Sequence, residues 1–501
     1  MKKEKLHLGI DLGTVNTSYS YTDKAGTVTV GKFSDGETLM PSAIRFTNRG
    51  KIVGRKAFAE DRGTGNFAAN FKRQMGTEIS RKVFDSVYSP TEMSAIVIRK
   101  TLLDFTEATG AVPRNAVISV PGDYSTPARM ATKDAARVAG LDSVTLINES
   151  TAAALSYGTS LRGADKRLFM VFDLGGGTFD ATVVSKDGSK FRVLSNEGSN
   201  NIGGKDWDLE MAGIIQKKAM DSAGLTLRDV EKDFELRRRI LAEARVQKEI
   251  LSSEKRSISV LPVKGREITF TVWREEFEVA TKPLMDKLVS MANSALKCAG
   301  VARDDLETIM LVGGDSLMAQ ILRNLDDAFP SADVEYHDPM HAVSKGSAVY
   351  ADSVYGNGDV EVTQVLNKSF GLVAGLDGME SICNVLFRNR PLPVERTIMC
   401  RPKRDDQEKI DLLIYESMSN AGSHEATQEE SYMVSECTVP LQGRISRGKT
   451  KIPVTFGAEA DGIVTLRMEC NDAVTYCPMG ASVELTPEEM AEAKMKVMNI
   501  V

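Results

Sequence analysis

The sequence has no long hydrophobic run. Its apolar stretches are short and interrupted, as in LFMVF at 168–172, and none approaches the ~20 residues that cross a bilayer. The opening MKKEKLHLGIDLG starts with lysine, but Asp11 arrives before any signal-peptide core, so no secretory signal is read. There is no CxxC pair among the six cysteines, which makes reduced thiols in a cytoplasmic chain the expectation. His337 and His341 are four apart, but Pro339 between them argues against one helix face and a metal site there. There is no basic excess either. The formal net charge is −6, which argues against a nucleic-acid binder and a polybasic membrane anchor.

What is present is a chain of 501 residues, 42% hydrophobic and 26% charged, enough for about three domains with large cores. Strand-like segments open it: LHLGIDLG, SYSYT and GTVTVGKF. A helix is expected at 90–108, with Ser89 as cap, Pro90 at the first position and Glu92 closing a capping box. NAVISVP at 115–121 reads as a strand, and Thr126-Pro127 opens a further helix ended by Gly140. A charged helix is expected over 229–252 and another over 275–299, before the strand TIMLV at 308–312. This alternation is an α/β pattern to about residue 355. GNGD at 356–359 reads as the start of a linker, and 360–485 as mostly β. TPEEMAEAKMKVMNIV then forms one short helix with a capping box.

Two segments carry the chemistry. GIDLGTVNTSYS starts at Gly9 and VFDLGGGTFDATVV at Val171. Each is a strand ending in Asp-Leu-Gly, a tight Gly/Thr turn and a second strand, and Asp11 and Asp173 are 162 residues apart. Two similar lobes facing each other across a cleft would produce this repeat. Glycines let backbone N–H groups close on a phosphate. A carboxylate at each strand end suits a hydrated Mg²⁺.

The paired DLGTVNT and DLGGGTFD resemble the phosphate loops of the actin, hexokinase and heat-shock ATPase superfamily. PSAIRF, NFKRQMG, NAVISVPGDYSTPARMATKDAARVAGL, LINESTAAALSYG, GGKDWD, LVGGDS and HDPMHAVSKGSAV narrow the resemblance to the seventy-kilodalton heat-shock chaperones, the DnaK family. It covers essentially the whole chain and is stronger before about 355. It implies a two-lobed, actin-like α/β ATPase domain over 1–355 and an interdomain linker over 356–366. A β-sandwich peptide-binding domain over 367–485 and a short helix over 486–501 follow, without the family's long helical lid.

The resemblance implies roles by position. Lys72 would place the attacking water, and Glu149 would orient the metal shell. Asp11 and Asp173 would face Mg²⁺, while Asp180 and Thr178 join the catalytic group. Gly13, Thr14, Val15, Asn16, Gly175, Gly176, Gly177, Gly203, Gly204, Gly313 and Gly314 would cradle ATP or ADP, with K⁺ as a further cation. Lys248, Ser252 and Asp315 fall at the nucleoside end, and Pro121 and Arg129 would couple nucleotide state to the sandwich. Leu372, Ile410 and Leu412 are candidates to line a peptide pocket, with plain sandwich core as the alternative.

The chain departs from the family pattern in three places. Arg245 stands where the family has a ribose-contacting glutamate. Asp315 and Leu317 replace the serine and the stacking arginine after LVGG. In the linker, DVEVTQ at 359–364 replaces DVLLLD, which predicts weak or differently wired coupling. Thr145 replaces the arginine used for J-domain cochaperones, so an exchange factor is the more secure cochaperone expectation. The leading reading is an ATP-hydrolysing chaperone that holds unfolded or extended polypeptide. The alternatives are a nucleotide-switched adaptor for one dedicated partner, and a small-molecule kinase or filament-forming actin relative. The appended β domain and Lys72 speak against the last.

Overall fold

Strand His7–Leu12 buries Leu8, Ile10 and Leu12 on successive turns of its pleat, each side chain contributing roughly 1.5–3 kcal/mol on burial. It runs antiparallel to Asn16–Thr22 and parallel to Asn115–Val120, which pairs parallel with Ser143–Asn148. Both faces of such parallel strands are covered, so their sequences are apolar runs rather than alternations. The structure, a computed structural model, describes residues 6–59, 66–161, 166–199, 201–263, 265–376, 379–424, 431–441, 445–447, 449–470, 473–479 and 485–500. The sequence also reads as a Gly/Ser/Glu-rich loop over 416–431 and, against the resembled family, an insertion near 374–380; both lie partly outside the described residues.

The chain divides into two compact units. The first comprises Met1–Asp165, Lys186–Leu194 and Val343–Val501. It holds the sheet just described, the helices Pro90–Thr109 and Thr126–Ala139, and the β-sandwich. One sandwich sheet runs in the order Ser423–His424, Met379–Leu386, Ser369–Leu376, Lys409–Ser417, Ser431–Pro440. The other runs Val394–Cys400, Ile452–Ala458, Val464–Cys470, Ala473–Cys477. Phe370, Ile414, Val454, Phe456 and Met468 fill the space between them.

The C-terminal helix Pro487–Val497 carries the expected capping box, from Thr486 to Glu489. Its position was not legible. Ala493 and Val497 are buried in the core of the N-terminal sheet and helices. Lys496 pairs with Glu92 at 3.0 Å, and the Lys51 amide donates to the Asn499 carbonyl.

The second unit comprises Lys166–Ser185 and Ser195–Ala342. Its sheet centres on Arg167–Leu174, which pairs parallel with Thr308–Val312, itself parallel to Asp333–Tyr336. Helices Gly204–Ala223, Phe234–Ser253 and Arg274–Ala299 belong to it, with the hairpin Arg256–Val263/Arg266–Trp273.

One expectation needs correction. The helix expected over 229–252 is two helices, Leu227–Lys232 and Phe234–Ser253. Asp233 leaves helical geometry and its side chain caps the Leu236 amide at 3.0 Å, so a residue read as interior is a cap. The stretch read as linker contains a strand, Glu361–Thr363, that pairs parallel with Lys190–Arg192. Cys383, Cys400, Cys437 and Cys477 form no disulfide, and among the described residues no group of three or more metal-binding side chains occurs. No helix of the described residues is long and apolar enough to cross a membrane.

Candidate functional site

The candidate residues form two groups, one in each unit. In the first unit the strand His7–Leu12 delivers Asp11 to its C-terminal end, where Ser119 Oγ donates to Asp11 Oδ1 at 3.1 Å from the neighbouring parallel strand. The turn that follows is fastened from one side. Ser42 Oγ donates to the Gly13 carbonyl at 2.7 Å and the Ser42 amide to the Val15 carbonyl at 2.8 Å. Thr14 is half-buried, and Asn16 begins the next strand opposite Pro41.

Lys72 sits in the 3-10 turn Phe71–Gln74, with its side chain buried. Its Nζ meets Glu149 Oε1 at 2.5 Å. Glu149 is the first residue of the helix Glu149–Ser160, where the helix dipole favours a carboxylate. Glu149 is the one carboxylate paired with Lys72 among the described residues. An ammonium has three donors, so the pair leaves Lys72 capacity for another oxygen ligand.

Tyr124 extends this pair. Its hydroxyl donates to the Lys72 carbonyl at 2.8 Å, and its own carbonyl accepts from Arg129 Nε at 3.2 Å. Burial, then Glu149 and Asp123, hold the phenol well above its ordinary range, so it acts as a fixed donor. Buried Pro121 accepts from the Tyr124 amide and shapes the turn. Arg129 Nη2 donates to Gly122 O and Asn148 Oδ1, both at 2.9 Å, while Nη1 donates to Asp461 O at 3.0 Å. Asp461 lies in a turn of the sandwich, and Lys133 grips its carboxylate at 2.5 Å.

Gln364, at the end of the linker segment, is buried. It accepts from the Asn148 amide at 2.9 Å and donates to the Ala460 carbonyl at 3.0 Å. Lys368 pairs with Glu416 at 2.6 Å. Asp123 stands in the field of these groups. Burial pushes its carboxyl above the usual range, Lys368 and Arg129 oppose this, and Glu149 and Glu416 add to it.

In the second unit Asp173 is the penultimate residue of the strand Arg167–Leu174, and the turn closes with Gly175 N donating to Thr178 O at 3.0 Å. The start of helix Gly204–Ala223 clasps this turn. The amides of Gly204 and Lys205 donate to the carbonyls of Gly175 and Gly176, both at 3.0 Å. A Cβ on Gly203 would lie 2.5 Å from Gly177 backbone atoms, so only glycine permits that approach. Asp180 is buried and accepts from Asn196 Nδ2 at 3.2 Å.

Lys248, on Phe234–Ser253, is also buried. Its Nζ meets Asp315 Oδ1 at 2.6 Å, Asp208 Oδ1 at 2.7 Å and Gly204 O at 3.1 Å. Burial raises the Asp208 carboxyl above its ordinary value despite the opposing Lys248. Ser252 Oγ turns back to the Lys248 carbonyl. Gly313 and Gly314 lead into the 3-10 turn that carries Asp315, fastened by Ser316 Oγ on Gly313 O at 2.7 Å.

The remaining candidates are in the sandwich. Leu372 and Leu412 are buried in its core and Ile410 packs against it. Their burial favours the core alternative. Sequence reasoning did not single out Tyr124, Asp208, Asp461 or a role for Gln364. Each acts through a partner distant in sequence, so the segments that contain them give no sign of the role.

The family model described as Hsp70 protein matches residues 7–86 and 78–496 of the chain. The chain is similar to the chaperone protein DnaK of Methanothermobacter thermautotrophicus, with 28% identity over 99% of the chain and 82% of that protein. It is 28% identical to the chaperone protein DnaK of Thermotoga neapolitana over 92% of the chain and 78% of that protein. A chaperone protein HscA homolog of Acidithiobacillus ferrooxidans is 31% identical over 93% of the chain and 76% of that protein.

Proposed function

Since the chain belongs to the Hsp70 protein family, whose members are ATP-dependent chaperones, we propose that it binds ATP and ADP with Mg²⁺, hydrolyses ATP and holds extended polypeptide segments. One observation carries this reading. The buried Lys72–Glu149 pair keeps donor capacity on the lysine, and Tyr124 and Arg129 link it by hydrogen bonds to Asp461 of the sandwich. Phosphoryl transfer to water needs positioning and charge neutralisation more than a covalent nucleophile. Lys72 supplies a cation held in one direction by Glu149.

In the second unit, the glycine-only approach of Gly203 to Gly177 at a helix start suits a phosphate. Mg²⁺ takes one or two carboxylates and completes its shell with water and phosphate oxygens. Asp11 in the first unit and Asp173 in the second each sit near a strand end, where a carboxylate of this kind can serve. When bound, the ion neutralises phosphate charge.

The coupling in this reading runs through polar contacts rather than linker leucines. Gln364 and Arg129 hold the sandwich turn at 460–461, and peptide stimulation of hydrolysis is accordingly modest. At the position of the J-domain arginine, Thr145 Oγ1 instead shares a hydrogen bond with the Tyr355 hydroxyl at 2.8 Å. The partner class is therefore extended polypeptide, with an exchange factor before a J-domain protein.

Titration calorimetry with Mg-ATP and single-turnover hydrolysis test the reading. Lys72→Ala should lower hydrolysis by about 10²–10³-fold, the range for losing one preorganised charge-stabilising donor, with nucleotide still bound. Absence of Mg-ATP binding near millimolar concentration refutes it. The core burial of Leu372 and Leu412 favours a second reading, an adaptor for one dedicated partner. Fluorescence polarisation with several unrelated hydrophobic peptides separates the two, because a chaperone binds more than one.

A further inference from the structure

Five of the six cysteines, Cys383, Cys400, Cys437, Cys470 and Cys477, fall in the β-sandwich. Two of them meet across it. Cys437 lies on Ser431–Pro440, the last strand of one sheet, and Cys477 on Ala473–Cys477, the last strand of the other. Register sets their direction. Cys437 pairs with Leu412 and Cys477 with Leu466. Both leucines are buried in the core, and antiparallel partners project to the same face of a sheet. Both thiols therefore point into the space between the sheets, and both are buried. The two strands touch at this point. Ser435 Oγ, two residues before Cys437, donates to the carbonyl of Pro478, one residue after Cys477, at 2.6 Å. The Cys477 thiol itself hydrogen-bonds to Cys437.

A buried thiol by itself is slow to oxidise. Two features set this pair apart. The partner sulfur is already in contact, and Cys477 lines an open cavity of about 480 Å³. Tyr476, Pro478 and Met479 form the cavity wall beside it, with Met130 and Leu146 of the helix Thr126–Ala139 and the strand Ser143–Asn148 also in the lining. A water molecule takes about 30 Å³ of liquid, so this space admits an oxidant as small as hydrogen peroxide and lets water leave. The two thiols are not equivalent. Burial, and then Cys437, hold the Cys477 thiol well above its ordinary range. Cys477 keeps its proton, and the first attack falls to Cys437.

We propose that Cys437 and Cys477 form a peroxide-modification site, oxidised together to a disulfide that joins the two sheets along one edge. The Cys437 thiolate attacks one peroxide oxygen, the O–O bond breaks, and the departing hydroxide takes up the proton that Cys437 released. Cys437 is then a sulfenic acid. The Cys477 sulfur attacks it, the S–O bond breaks, and the second hydroxide leaves with the Cys477 proton. The two thiols give up two electrons and two protons, and one peroxide becomes two waters. The first step is slow, because both sulfurs are buried. The second is fast, because the resolving thiol is already in place. The sulfenic acid does not accumulate, and the site stops at a reversible disulfide short of sulfinic acid. The loop closed in this way contains the turn at 459–461, which Gln364 and Arg129 hold, so oxidation stiffens that turn. The inference does not depend on nucleotide binding.

The experiment treats the whole chain with hydrogen peroxide and maps the products by peptide mass spectrometry. Wild type should give one linked peptide pair, holding Cys437 and Cys477 and lighter by two hydrogens than the sum of its parts. Dithiothreitol should reverse the link. Dimedone, which traps sulfenic acids, should label Cys437 in Cys477→Ser and leave it unlabelled in wild type. The wild-type map needs no variant to fold, so the linkage is tested whatever becomes of Cys477→Ser. Oxidation of Cys298, which is exposed, with Cys437 and Cys477 left unlinked overturns the proposal. So does a link from Cys477 to any other cysteine. Wild-type Cys437 that takes up dimedone as readily as the variant does also overturns it, because the neighbouring thiol would then not be resolving the sulfenic acid.

Discussion

Two buried lysines, one in each unit, divide the labour of the candidate residues. Lys72 has one carboxylate, Glu149, and lies beside a tyrosine whose hydroxyl is aimed at the lysine's own carbonyl. Lys248 has two carboxylates and a carbonyl. The first arrangement leaves a cation able to act on a ligand. The second is a closed cluster of one cation and two acids, and it holds Asp208, Asp315 and the start of a helix in fixed relation. Residue type alone does not distinguish them. The count of acceptors around each ammonium does: one carboxylate meets Lys72, and two carboxylates and a carbonyl surround Lys248.

The largest expected effect follows from that difference. Lys248→Ala leaves Asp208 and Asp315 close together with no cation, and breaking a buried pair in this way costs about 3–5 kcal/mol. In a unit of this size that lowers the melting temperature by about 10 °C. Stability should recover as the pH falls, because protonation relieves the two carboxylates. Lys72→Ala should behave in the opposite sense, with a large loss of hydrolysis and a smaller loss of melting temperature, because Glu149 retains access to water. Equal melting temperatures for the two variants, measured by calorimetry, would break the comparison.

The local parts of both groups were legible, and their wiring was not. Asp11 and Asp173 lie on strand ends because Asp-Leu-Gly and its glycine turn encode that geometry within a few residues. The capping boxes at Ser89/Glu92 and Thr486/Glu489 are local in the same way, and both occur. Lys248 and Asp315, by contrast, are 67 residues apart, and Gln364 reaches Asn148 across 216. Nothing local says that two carboxylates and a carbonyl surround Lys248, that Gln364 is buried, or that Asp233 caps a helix rather than continuing one. The packing site of the final helix escapes sequence reading for the same reason. Ala493 and Val497 are ordinary apolar residues until their partners are known.

A middle-sized effect tests whether the first group is wired outward as the second is closed inward. Gln364→Ala removes the acceptor for the Asn148 amide and the donor for the Ala460 carbonyl, both in buried surroundings. Leaving such groups unpaired costs about 1–3 kcal/mol. Amide hydrogen exchange should accelerate at 459–464 and around Asn148, with little change in the helix Phe234–Ser253. Gln364→Asp, the residue that the family pattern carries there, can still accept from Asn148 but cannot donate to Ala460. It should loosen the sandwich turn alone. Exchange that rises uniformly across the chain would mean that Gln364 is a general core residue with no directed role.

The smallest effect concerns the charge of Asp123, which Glu149 also feels. Asp123 faces Lys368, Glu149, Arg129 and Glu416, and burial is the main cause that raises its carboxyl from the ordinary 3.8. The folded state therefore keeps this proton to higher pH than the unfolded chain does. Its contribution to stability is complete below the unfolded value and is lost as the pH rises through the folded one. Asp123→Asn removes that loss. Relative to wild type, the variant should gain stability as the pH rises from about 4, by on the order of 1 kcal/mol, and the gain should level off once Asp123 is ionised in the folded wild type. Urea melts of both proteins between pH 4 and 8 measure it. A gain that shrinks with rising pH would mean that the ionised carboxylate is stabilised by Lys368 and Arg129. Asp123 would then be part of an ion cluster with Lys368 and Arg129, as Asp208 and Asp315 are with Lys248.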